Sequence, residues 1–252
     1  LAADEHHAQL CGADAHVAMT AGGGCVLGVA LSDTASEADL TAAYGQFRDE
    51  AAVVAPESTP ETVNTDGWKA TQAAWRTLFP KVVLILCFLH GFLKIRDRCR
   101  KAFELHRKIW EVYQAANAGA FREKMESFRQ WCAVRSWSGP IQEALEKLWG
   151  RTEEYVRSYS HPVCHRTSNQ VDRPMNALYR LLYAHRTLHG HLETAESRLR
   201  GWALLMNFRP FEPQTRRRTG TQSAAHRLNK TKYHDHWLHN LYISASLGGF
   251  RA

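Results

Sequence analysis

The sequence has no apolar run long enough to cross a membrane. Its longest, roughly Val82 to Leu93, includes His90 and falls short of the about 20 residues that a spanning helix needs. The first residues include Asp4, Glu5, His6 and His7, so they cannot be a signal peptide's apolar segment. The six cysteines, at 11, 25, 87, 99, 132 and 164, are not spaced as a disulfide framework, which fits reduced cytoplasmic thiols. The chain opens on Leu1 rather than Met, so we read it as a fragment whose amino-terminal part is missing.

What is present suits a soluble globular protein. The 252 residues, 44% hydrophobic and 23% charged, can bury one large core or a domain with an insertion. The formal net charge of +7 suggests a polyanionic partner, nucleic acid before membrane.

Three strand-like runs open the chain, "LAADEHHAQ", "HVAMTAGGG" and "CVLGVALS". They are separated by turns at Cys11-Gly12-Ala13-Asp14 and Gly22-Gly23-Gly24, the pattern of an antiparallel meander. From Ser36, a capping serine and the spacing of Leu40, Ala43, Tyr44 and Phe47 predict an amphipathic helix. "TPETVNTD" reads as a fourth strand and "GWKATQAAWRTLF" as a helix stopped by Pro80. "KVVLILCFL" reads as a buried fifth strand. The order β-β-β-α-β-α-β predicts a mixed sheet carrying helices.

The expected organisation is a first core part over 1–93, then a helical insertion over 94–160 with no strand signal. Further core helices follow over 161–210, and a flexible, basic arm over 211–252.

Two-metal phosphoryl transfer requires acidic side chains converging from separate elements, because carboxylate oxygens must hold two divalent cations about 4 Å apart. Asp4 lies in the first strand, Asp66 at the carboxyl end of the fourth, and Asp172 on the first turn of a helix beyond the insertion.

Four blocks, "AADEHHAQLCGA…GGGCVLGVAL", "VNTDGWKATQAAWRTLFP", "CFLHGFLKIRDR" and "HRTSNQVDRPMN…HGHLETAESRLRGWALLMNFRP", carry a likeness over about Leu1 to Pro210. The chain resembles a bacterial insertion-sequence transposase of the DDE type. That resemblance implies a ribonuclease H-like α/β fold with a helical insertion before the third acid. It implies a triad of Asp4, Asp66 and Asp172 that holds two Mg²⁺ or Mn²⁺ ions and is also the catalytic set. It further implies double-stranded DNA partners (transposon ends and target), a homo-oligomer on DNA, no membrane, and a cytoplasmic, nucleoid-associated location. Three features depart from the pattern, the first being that only three residues precede Asp4, so that its strand is cut almost to that residue. The third acid is usually Glu, so the shorter Asp172 requires its helix to approach the sheet more closely, and the amino-terminal DNA-binding domain is absent from this chain.

Other readings stay open beside the triad. Asp66 can begin a turn or cap a helix, Glu5 alternates with Asp4 across the sheet, and Asp14 lies in the next turn. Asp172 fits an ordinary first-turn acid, with Glu193 and Glu196 as rivals on a later helix. Cys87-x-x-His90 and His161-x-x-Cys164 have spacings that can bind zinc, against a plain core role for Cys87. Lys94, Arg96 and Arg173, with Arg216, Arg217, Arg218, Arg227, Lys230 and Lys232 of the tail, are the candidate DNA-binding cations. The alternative functions are a ribonuclease H-like nuclease without strand transfer and a non-catalytic or decayed transposase-derived DNA-binding protein.

Overall fold

A computed structural model describes residues 1–247. It contains, in order, β1 (Ala2–Leu10), β2 (Ala13–Gly22), β3 (Cys25–Ser32), α1 (Glu37–Val54), β4 (Thr62–Thr65), α2 (Lys69–Leu78) and β5 (Val83–Leu86). There follow α3 (Phe88–Arg98), α4 (Phe103–Tyr113), α5 (Ala118–Ala133), α6 (Gly139–Gly150), α7 (Thr152–Val156) and a 3-10 turn (Arg157–Ser160). Last come α8 (Asn169–Ala184), α9 (Leu192–Phe208), α10 (Pro213–Thr219), α11 (Ala224–Asn229) and α12 (Trp237–Ser246). The strands make one mixed five-stranded sheet in the order β3-β2-β1-β4-β5, antiparallel from β1 to β3 and parallel between β4 and β5. The protein is therefore α/β. No helix among the described residues is long and apolar enough to cross a membrane.

The chain divides into two compact units, one comprising Leu1–Glu61, Trp68–Val82 and everything from Asn169 onward, the other Thr62–Gly67 and Val83–Ser168. In the first unit, two-residue turns join β1 to β2 and β2 to β3. Cys11 and Gly12, then Gly23 and Gly24, all have positive φ, as tight hairpins between right-twisted strands require.

Period-two alternation then sorts side chains between two faces. On one face Val17, Met19, Val29 and Leu31 pack against Val171, Met175 and Leu178 of α8 and Ala195 and Leu199 of α9. On the other, α1 and α2 build an aromatic cluster, with Trp75 5.4 Å from both Tyr44 and Phe79 between ring centroids. Helix α2 buries Thr71, Ala74, Trp75 and Leu78, while Trp68 precedes the helix and is 53% exposed.

The second unit is built on the short parallel pair β4/β5. Leu86, Phe88 and Ile95 sit in a core completed by Leu105, Ile109, Phe121, Phe128, Leu145 and Leu148. The apolar run expected to be one long strand changes character at Cys87: its amide donates to the Thr65 carbonyl, and the chain enters α3 at Phe88. Helical structure thus begins six residues before the expected insertion, because Phe88 and Ile95 face the helical core rather than a sheet.

The tail also differs from a flexible arm. Gly220 closes α10 in the left-handed region, and the Ser223 hydroxyl caps α11 by accepting from the His226 amide. Ala224, Ala225 and Leu241 are buried, their helices packed on α9. The last five residues of the expected arm, 248–252, lie outside the described residues.

Glu5 ties β1 to the α1/α2 face, since its Oε1 accepts from the Tyr44 hydroxyl and, at 2.7 Å, from Thr71 Oγ1. Replacing Glu5 with Ala strands both hydroxyls in the core. The expected loss is about 1–3 kcal/mol of stability in chemical denaturation, with Glu5→Gln, which keeps an acceptor oxygen, costing less. An unchanged midpoint for Glu5→Ala would remove this anchor from the account.

Candidate metal and nucleic-acid site

Asp4 is the third residue of β1 and shares its face with Ala2, His6 and Ala8, the face on which α8 lies. Asp172 is the fourth residue of α8. These acids, 168 positions apart in sequence, offer carboxylate oxygens within 4.8 Å of each other, and both are half-buried. Two carboxylates brought this close repel each other, and a cation placed between them would offset the repulsion. Donor atoms gathered within 4.8 Å form a group that could hold a metal ion.

The rival acids are placed elsewhere. Glu5 points to the opposite face, as the pleat demands. Asp14 is exposed and bonded to His7 Nε2 at 3.2 Å. Glu196 accepts from the Leu31 amide at 3.3 Å and from Gln46 Nε2 at 3.2 Å, which ties α9 to β3 and α1. Glu193 is exposed in the first turn of α9.

In the second unit, Asp66 directly follows β4 and is half-buried. Gly67, next to it, has φ +93°, and a Cβ there would lie 2.6 Å from Leu86 Cδ1 and 2.5 Å from Arg151 Nη1. The glycine is thus required twice over, for backbone hand and for space. Buried Asn64 of β4 donates through Nδ2 to the His165 carbonyl at 2.9 Å, holding the segment after the 3-10 turn against the strand. Arg166 continues that segment, its guanidinium 4.7 Å from the Tyr113 ring centroid and 4.5 Å from that of Tyr159, a pair of cation–π contacts.

Cys87, His90 and Ser168 form a small polar cluster in the same unit. Cys87 Sγ accepts from the Ser168 amide and hydroxyl, both at 3.3 Å, and Ser168 Oγ lies 3.3 Å from His90 Nδ1. Burial pushes the Cys87 thiol up, but the hydrogen bond and charge of His90 and the two bonds from Ser168 outweigh it, so the thiol is held below its ordinary range. His161 lies in the 3-10 turn's C-terminal flank, and Cys164 Sγ donates to the Ser158 carbonyl at 3.5 Å. Among the described residues, Cys87, His90, His161 and Cys164 are not gathered as three or more donors within 4.8 Å of one another. Cys87 and Cys164 both have hydrogen-bond partners within the protein.

The candidate DNA cations divide by role. Lys94 and Arg96 are exposed on α3, where Arg96 also pairs with Asp97 at 3.2 Å, and Arg173 is exposed beside Asp172 on α8. Arg216, Arg217 and Arg218 are exposed on α10, and Lys230 ends α11 in the left-handed region. Arg227 is structural: its Nη2 donates to the Gly23 carbonyl at 3.0 Å, and its guanidinium lies 5.4 Å from the Phe211 ring centroid. Lys232 is paired with Asp235.

Sequence reasoning missed the Cys87–Ser168–His90 cluster, since nothing in the spacing links position 168 to 87. No protein-family model matches the chain, and no curated protein matches it.

The corner at Gly67 carries its own test. Gly67→Ala should destabilise the protein by at least about 1 kcal/mol, the scale of glycine's advantage at positive φ, read from the denaturation midpoint. A neutral substitution would mean that the turn relaxes and does not fix Asp66.

Proposed function

We propose that this chain is the catalytic domain of a DNA transposase, which cleaves and joins phosphodiesters with the help of divalent metal ions. One observation carries the reading: Asp4 and Asp172, from a strand and from a helix far along the chain, bring carboxylate oxygens within 4.8 Å of each other. A sheet of three antiparallel strands, followed by alternating helix and strand, supports the finer assignment of a ribonuclease H-like core.

Asp4 and Asp172 would hold the ions, and the reading adds Asp66 as the third acid. His90, whose Nδ1 is oriented by Ser168, is a further candidate donor, because an imidazole fixed through one nitrogen presents the other in a set direction. When bound, two Mg²⁺ or Mn²⁺ ions would supply an activated water or DNA 3′-hydroxyl and stabilise the leaving oxygen. The residues do the rest. The carboxylates fix the donor geometry, the α8 core holds Asp172 in place, and exposed Arg173 and Arg216–Arg218 bind phosphates. No covalent protein–DNA intermediate is required. The protein would act as a homo-oligomer on double-stranded DNA.

Asp4→Asn, Asp66→Asn and Asp172→Asn should each lower Mn²⁺-dependent nicking of a DNA substrate by about 100-fold or more, while DNA affinity stays within a few-fold. His90→Ala, run beside them, tells whether the imidazole joins the acids. Normal cutting by the Asp4 or Asp172 variant would overturn the assignment. DNA binding without metal binding or cutting by the parent chain would favour the DNA-binding alternative, and cutting without joining would favour a nuclease.

Changing Arg216, Arg217 and Arg218 to Gln should flatten the dependence of log affinity on log salt by about 0.9 for each phosphate that is no longer neutralised. An unaltered slope would take α10 out of the interface.

A further inference from the structure

The pleat that separates Asp4 from Glu5 also separates His6 from His7. His6 packs edge to face on Tyr179 of α8 at 5.0 Å, and His7 stands on the opposite face. There the antiparallel register places His7 directly across from His16 of β2. Side chains so paired have Cβ atoms about 4.5–5.5 Å apart, close enough to share one ligand. Their ring centroids are 5.5 Å apart, at an interplanar angle of 78°.

Both positions are fixed by ladder pairing, which places donors more firmly than a loop does. β2 is an inner strand, so His16 is flanked by His7 in β1 and by Ser32 in β3. Asp14 lies two residues before His16 on the same face, and its Oδ1 is 3.2 Å from His7 Nε2. A carboxylate only accepts, so Nε2 carries the hydrogen, and a neutral His7 ring keeps its lone pair on Nδ1. Histidines that ligate metals commonly have this arrangement, with one nitrogen donating to a carboxylate and the other turned to the ion. Burial, and then the charge of His7, hold His16 below the ordinary histidine range against an opposing pull from Asp14. The ring is thereby kept in the neutral form that ligation needs.

We infer that His7 and His16 together bind one first-row transition-metal ion, Zn²⁺ foremost, with Asp14 as the carboxylate that orients His7. The spacing suits it. With Zn–N bonds of about 2.0–2.1 Å and a tetrahedral angle of about 109°, two ligating imidazoles have centroids about 5 Å apart. The observed 5.5 Å is close to that. Imidazole nitrogen selects Zn²⁺, Ni²⁺ and Cu²⁺ over Mg²⁺ and Ca²⁺, so this site differs in kind from the carboxylate pair on the other face. His7 is exposed, which leaves the ion's remaining positions to water. A bound ion would clamp β1 to β2 beside the Cys11–Gly12 turn, and by binding only the folded hairpin it would stabilise the strand that carries Asp4.

None of this depends on the nucleic-acid reading above, since neither histidine is assigned a part in it. The full chain, stripped with EDTA and exchanged into excess Mg²⁺ to fill sites for hard ions, is titrated with Zn²⁺ by calorimetry. His7→Gln and His16→Gln should each weaken one equivalent of Zn²⁺ binding by about 10-fold or more, with the metal-free melting temperature unchanged. His6→Gln, adjacent in sequence but across the pleat, should leave that equivalent in place. Asp14→Asn should weaken it by about 10–100-fold, and Asp14→Glu, which restores the acceptor, should recover most of the loss. In the parent chain, the ring-nitrogen NMR signals of His7 and His16 should move as Zn²⁺ is added, a reading that needs no variant to fold. Unaltered binding by a His7→Gln/His16→Gln double variant would overturn the site. So would signals that move only for other histidines, or a loss in His6→Gln equal to that in His7→Gln.

Discussion

Much of the first unit depends on the pleat of a single strand. In β1 the polar residues Asp4 and Glu5 are adjacent, so alternation sends them to opposite faces. Glu5 goes to the α1/α2 side, where Tyr44 and Thr71, both almost fully buried, donate their hydroxyls to it. Asp4 goes to the α8 side and meets Asp172. A carboxylate drawn out of water is tolerable only with hydrogen-bond partners. The register of β1 is thereby pinned on one face by structural hydroxyls, and the other face sets its acid beside Asp172. A slip of one residue would exchange the two roles and lose both.

The strands and the first helices were readable because the local signals agree with the tertiary outcome. Glycine-bearing turns separate the meander, Ser36 caps α1 through the Asp39 amide, and the Leu40/Ala43/Tyr44 stripe is buried as its spacing requires. Which face Asp4 and Glu5 each take was not readable from the pattern, because alternation states that two neighbours diverge and not which face carries the helix with a second acid. The position of Glu5 is explained by a tyrosine 39 residues away, which no local pattern discloses.

Other mismatches have physical causes of the same kind. The run through Cys87 carries no glycine or proline to mark where strand gives way to helix, so only the helical core around Phe88 and Ile95 reveals the boundary. Trp68 is large and apolar, yet it precedes the first turn of α2 and is 53% exposed, and the buried stripe starts at Thr71. The tail is basic and punctuated, but alanines 224 and 225 are small enough to let α11 approach, and Arg227 is drawn to a backbone carbonyl at the β2/β3 turn. Charge composition predicts solvent exposure on average. It does not identify the one arginine that a glycine turn can accommodate.

The shorter acid at position 172 has a structural counterpart. An aspartate reaches about one methylene less far than a glutamate, so on the reading proposed above its helix must lie closer to the sheet. On the α8 face of β1, Asp4 and His6 are flanked by Ala2 and Ala8, both buried, and their methyl groups offer little obstruction to an approaching helix. Val171 and Met175 bracket Asp172 on α8 and are themselves buried against that face, while Pro174 fixes the backbone between them. Small residues on the strand and apolar ones around the acid thus provide the closer approach that Asp172 needs. With larger side chains at 2 and 8, a glutamate would be required to span the same gap.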